Sequence, residues 1–126
     1  MNAWDISFAW RYVLLFFTAV MVVACGDSLC SNDLISESIS PDGKYVASAF
    51  ERNCGATTPH VQVISLRLSN TRLNPEKHDD WVFTIHGQSK IDLYWESARK
   101  LKISYSGTGD NPTQRVSWQD VAISYT

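Results

Sequence analysis

The chain has 126 residues, 44% of them apolar and 19% charged, with five Trp and three Cys. That length fits one domain, since two independent cores would each be small, and the apolar content excludes a disordered chain. Eleven Lys and Arg against 13 Asp and Glu leave a net charge of −2, so no basic excess supports a phosphate-binding surface and no nucleic-acid partner is expected.

The first element is an apolar run. Tyr12 to Ala24 is apolar apart from Thr18, behind Arg11 and ahead of Gly26 and Asp27. A helix of that length rises ~20 Å, short of the ~30 Å of hydrocarbon that a spanning helix must cross. A short run behind a positive residue is the pattern of a secretory signal. The alternative is an uncleaved anchor, because Asp5 offsets Arg11 in the leading segment. Val22-Val23-Ala24-Cys25-Gly26 resembles a bacterial lipobox. The resemblance implies cleavage before Cys25 and diacylation of its thiol, and two or more acyl chains anchor stably where one is marginal. The expected organisation is a signal peptide over 1–24, a lipidated tether over 25–33 and a single β domain over 34–126. Its partners are then the membrane, through the N-terminal lipid, and an envelope protein or ligand. Its place is the bacterial cell envelope, facing the periplasm or cell surface.

With Cys25 assigned to lipid, Cys30 and Cys54 remain, in a compartment where disulfides persist. Ser40-Pro41-Asp42-Gly43 is a turn signal between Leu34–Ile39 and Lys44–Arg52. A type I turn with a glycine bulge places Ser40 opposite Lys44, so paired residue numbers sum to 84. Cys30 and Cys54 have the same sum and should face each other across the open end of the hairpin. The sharper alternative is a nucleophilic Cys54 with His60 or His86 as base, which requires Cys30 to be idle.

Beyond the hairpin, Gly and Pro punctuate apolar segments at 60–68, 81–86, 90–96, 101–106 and 115–125. Period-2 alternation is clear in Trp81-Phe83-Ile85, Ile91-Leu93-Trp95 and Leu101-Ile103-Tyr105. The alternation changes phase at Val63-Ile64 and near Asp120-Val121, where a bulge would restore the apolar face. Around Ser97–Lys100 two registers keep the apolar residues on one face: Trp95 opposite Ile103, or Trp95 opposite Leu101 with Glu96 opposite Lys100. The fold class is all-β: an antiparallel meander of about seven short strands forming a small sandwich or open barrel, with one disulfide.

Ser40-Pro41-Asp42-Gly43-Lys44-Tyr45 through Phe50-Glu51-Arg52-Asn53-Cys54-Gly55-Ala56-Thr57-Thr58, with the later Trp95…Leu101-x-Ile103-x-Tyr105 hairpin, resembles a family of small uncharacterised bacterial proteins. That family is a domain of unknown function with an E-R-x-C-G-A-T-T signature. The resemblance implies a domain over roughly residues 30–125 and assigns no catalytic role. Glu51 and Arg52 point to opposite faces, so at least one lies against the sheet, and they are the candidates for a buried ion pair.

The candidate binding loops are 55–59, with Thr57 and Thr58, 69–80, with His78, Asp79 and Asp80, and 107–114. Consecutive His78-Asp79-Asp80 cannot converge on one metal unaided, and the segment reads as a solvated loop. Ser106–Asn111 is glycine-rich, but no helix follows to complete a phosphate loop, and it reads as a mobile connection. No cofactor and no metal site is expected. The functional expectation is a non-enzymatic envelope lipoprotein whose β domain binds a periplasmic or surface partner. The alternatives are a small metal-dependent hydrolase using His78, Asp79 or Asp80, and an inhibitor of an envelope enzyme.

Overall fold

The computed structural model describes residues 30–126, and the lipidation site expected at Cys25 lies outside the described residues. The strands are β1 (Ser31–Ile39), β2 (Tyr45–Asn53), β3 (Val61–Leu68), β4 (Trp81–His86), β5 (Ser89–Ser97), β6 (Lys100–Gly107), β7 (Asp110–Gln114), β8 (Ser117–Trp118) and β9 (Val121–Tyr125). They form two sheets, ordered β1-β2-β3-β4-β7 and β5-β6-β9-β8, facing each other across one core. The fold is the expected all-β sandwich, and neither sheet closes into a barrel. It is not a pure meander, because β6 and β9 run parallel. The chain leaves β6, adds β7 to the first sheet beside β4, and only then returns to the second.

The β1–β2 turn places Gly43 in the left-handed region at φ 73°. Its N–H donates to the Ser40 carbonyl at 2.8 Å, and the Ser40 hydroxyl donates to Asp42 at 2.7 Å. The Ser40 N–H, however, donates to the Tyr45 carbonyl, not to that of Lys44. The loop is therefore one residue longer than the sequence suggests, and pairs from Ile39–Val46 to Ser36–Ala49 sum to 85. A bulge at Ile35 absorbs the extra residue, and pairs from Leu34–Phe50 to Ser31–Asn53 sum to 84. The cysteines meet as expected: Cys30 and Cys54 are bonded, with Cα atoms 3.9 Å apart. The registration at the open end was right, and the turn that was to produce it was not.

The inner faces of both sheets supply the core, with Tyr45, Ala47, Ala49, Ile64, Leu66, Phe83 and Ile85 opposing Trp95, Leu101, Ile103, Trp118, Val121 and Ile123. The outer face of the first sheet is covered as well: Val46, Ser48, Phe50, Val63 and Ser65 are all buried. This explains the phase change in β3, which needs no bulge. Its pairing with β2 is unbroken from Val61 to Leu68, and residues 62–66 are buried on both faces. The irregularity lies on β4, where Ser65 pairs with Trp81 directly after Ile64 pairs with Phe83.

Three further expectations change. The β5–β6 hairpin takes the register with Trp95 opposite Leu101, but Glu96 is bulged out and Lys100 pairs with Ser97. The segment 115–125 is two short strands, β8 and β9, broken by a turn with Gln119 at φ 49°. Residues 110–114, read as a loose connection, are strand β7, paired with β4 from Phe83–Gln114 to His86–Asp110.

The strands run between two poles. The disulfide pole carries the disulfide, the loop 54–60 and the turns at 87–88 and 108–109. The opposite pole carries the turns 40–44, 98–99 and 119–120 and the start of the segment 69–80.

Candidate functional site

A groove of about 280 Å³ opens at the disulfide pole. Its walls come from four parts of the chain: Arg52 at the end of β2, Cys54, Thr58 and Pro59 in the loop, Val61 on β3, and Trp81 and His86 at the two ends of β4. Strand alternation brings them together, because Arg52, Val61 and His86 occupy successive cross-strand positions. The disulfide fixes one end, and a hydrogen-bonded loop fixes the wall beside it. The Thr58 N–H and hydroxyl donate to the Gly55 carbonyl at 3.2 and 3.1 Å, and the Gly55 N–H donates to Asn53 Oδ1 at 3.0 Å.

Arg52 and Trp81 are held from the opposite side by the segment 69–80. The Arg52 side chain is 11% exposed and donates bidentately to Glu76 at 3.0 and 2.9 Å, and to Asn32 at 3.1 Å. Its guanidinium lies over the Trp81 ring, 5.7 Å from the centroid. The Trp81 indole N–H donates to the Pro75 carbonyl at 3.2 Å, and the His78 ring stacks on it at 4.0 Å. A planar cation on an aromatic face, with its N–H fork filled by a carboxylate, is a rigid arrangement. The segment expected to be a solvated loop is thus partly a packed cover on the outer face.

The expected site residues fall into separate places. Glu51 and Arg52 do not form an ion pair with each other, because alternation sends them to opposite faces. Arg52 pairs with Glu76, and Glu51 accepts from His60 Nδ1–H at 2.5 Å. Thr57 and Thr58 are exposed, and only Thr58 lines the groove. His78, Asp79 and Asp80 form a single 3-10 turn whose groups diverge. His78 stacks on Trp81, and the Asp79 carbonyl accepts from Arg115 at 2.8 Å. Asp80 pairs with Lys77 at 3.1 Å and accepts from the Trp118 indole at 3.3 Å. Among the described residues no three His, Cys, Asp or Glu side chains stand close enough to hold a metal ion. Cys54 is consumed by its bond to Cys30, which removes the thiolate that a nucleophilic role requires.

Glu76 and Trp81 were missed as site residues, and His86, considered only as a base for Cys54, lines the groove. Glu76 is 24 positions from Arg52, and no local pattern couples them. Trp81 belongs to a clear strand pattern that reads simply as core.

The groove is walled mainly by carbon and sulfur, with charge only at Arg52 and the imidazole of His86 beside it. It can take an apolar group and offer one hydrogen bond beside it. No family model matches the chain, and neither a curated protein nor a solved structure matches it. The functional argument therefore rests on geometry.

Proposed function

We propose that this protein is a lipid-anchored, non-enzymatic β domain of the bacterial envelope that binds an apolar group of an envelope partner in the groove at its disulfide pole. The observation that carries the reading is the make-up of the groove. Its apolar walls are locked by the disulfide, by the Gly55–Thr58 hydrogen bonds and by the Arg52–Glu76 pair. A preformed apolar concavity lowers the ordering cost of binding. The lipobox-like Val22–Gly26 supports the anchor, and the disulfide suits an exported chain.

Two measurements test the two halves. Fatty-acid labelling should vanish in Cys25→Ala, and label that persists would refute the anchor. A photo-reactive residue at Thr58 should give a discrete adduct in intact cells. That adduct should be lost when Val61→Lys puts a charge in the groove. An adduct indifferent to Val61→Lys, or none at all, refutes the groove as the binding site.

A further inference from the structure

The two poles differ in charge. At the disulfide pole the loop tips 55–59, 87–88 and 107–109 contain no charged residue. The ionic groups nearest them are Arg52, paired with Glu76, Glu51, hydrogen-bonded to His60, and Asp33, opposite Glu51 on β1. Lys90 and Asp110 lie on strands, Lys90 3.8 Å from Asp92, and His86 lines the groove. The opposite pole carries charge on its turns themselves, in Asp42, Lys44, Arg99 and Asp120, with Arg72 and Lys77 beside them, and Arg99 is paired with both Asp42 and Asp120. Bringing a charge into a membrane costs more than bringing up small uncharged loops.

Tether length selects the same pole. Cys25 stands five residues before Cys30, a reach of at most ~18 Å even when fully extended. Cys30 is bonded to Cys54, a wall of the groove. The nine residues of β2 rise ~30 Å toward the opposite pole. An anchor at Cys25 therefore keeps the groove near the bilayer and the ion-dense pole away from it.

From this juxtaposition we infer that the disulfide pole is a lipid-contacting surface, resting on the bilayer with its groove receiving the apolar chain of a phospholipid. The inference rests on the proposed anchoring and names the partner of the same groove. It makes the membrane itself the first occupant, and leaves the ion-dense pole pointing away from the bilayer.

The test uses the full chain, produced in a bacterial host and reconstituted in vesicles of phosphatidylethanolamine and phosphatidylglycerol. A benzophenone amino acid replaces Thr57 or Gln88 at the disulfide pole, or Asn70 at the opposite pole; all three positions are exposed. After irradiation, intact mass should show a gain of one phospholipid for the Thr57 and Gln88 variants and none for the Asn70 variant. Equal lipid adducts at both poles, or an acylated protein with no lipid adduct at Thr57, overturns the inference alone. Intact mass without acyl groups on Cys25 overturns the anchoring, and the inference falls with it. A protein adduct at Thr57 in place of a lipid one assigns the pole to a protein partner and also overturns it.

Discussion

At the scale of single residues, Asp42 shows how one side chain can serve turn, sheet and sandwich together. Its carboxylate accepts from the Ser40 hydroxyl at 2.7 Å and the Lys44 N–H at 3.2 Å, and binds Arg99 at 2.8 Å. Arg99 also reaches Asp120 at 2.9 Å and lies over the Tyr45 ring, while the Tyr45 hydroxyl donates to Asp120. The Ser40 hydrogen bond, then the Lys44 N–H, then Arg99 hold Asp42 down to about 2 from the usual 3.8. The Tyr45 hydroxyl pulls Asp120 in the same direction. A depressed carboxylate contributes stability that is complete above its unfolded value and lost as pH falls through its folded one. Stability should thus hold down to about pH 4 and decline toward pH 2. Asp42→Asn should flatten that decline in urea melts taken across the range, and an unchanged profile would assign the acid sensitivity elsewhere. Gly109 is a second singular position. A Cβ there would meet the Ser89 hydroxyl and stand 2.9 Å from two carbons of the buried Ile85. Gly109→Ala should destabilise by ~1–3 kcal/mol, the usual cost of overpacking, read as a lower urea midpoint with an unchanged slope.

At the scale of elements, the β1–β2 hairpin depends on its staple. Among the described residues β1 is an edge strand that pairs only with β2, and its Leu34, Ile35 and Ile39 are exposed. The bulge at Ile35 and the acids Asp33 and Glu37 discourage further pairing along that edge. Little burial holds β1, so the disulfide matters most there. With a sequence separation of 24, opening the loop should cost about 3–4 kcal/mol on the chain-entropy estimate. Cys30→Ser with Cys54→Ser should lower stability by about that amount and expose β1 amides to hydrogen exchange first. Uniform exchange across the first sheet would contradict this. The same hairpin shows what was legible beforehand. Alternation announced β4, β5 and β6 through the face each turns to the core, and the Ser40–Gly43 turn signal announced β2, which is buried on both faces. They did not announce β7, whose Asp110–Gln114 is fully exposed, contains Pro112 and carries no apolar residue to alternate. It exists because it fills the edge of β4 that β3 leaves open, a fact of tertiary structure. The groove was half legible for the same reason. The cysteines and Arg52 stand out in sequence, but their partners Glu76 and Trp81 arrive only when the segment 69–80 folds across the outer face.

At the scale of the molecule, the two sheets cannot be stable apart. Aromatic contacts cross between them: Tyr45 with Trp118 at 5.5 Å, and Phe83 with Tyr105 and Tyr125 at 4.9 and 5.8 Å. Hydrogen bonds cross too, from the Trp95 indole to the Ser38 carbonyl at 3.1 Å and from the Tyr125 hydroxyl to the Val82 carbonyl at 3.0 Å. Burial pushes the Tyr125 phenol up to about 12, and its hydroxyl lies 2.6 Å from the Arg115 carbonyl. Separating the sheets would expose every one of these rings at once, since each sheet has the other as the cover of its inner face. That rigidity is what keeps the groove and the ion-dense pole at fixed opposite ends of one body. Unfolding in urea should therefore be a single transition, with the same midpoint by tryptophan fluorescence and by far-ultraviolet dichroism. In a Trp81→Phe variant of the chain without residues 1–24, fluorescence reports the second sheet through Trp95 and Trp118, and dichroism reports both sheets. A fluorescence midpoint clearly below that of dichroism would mean that the second sheet detaches first. The poles would then not be rigidly coupled, and the orientation argued from tether length would lose its geometric basis.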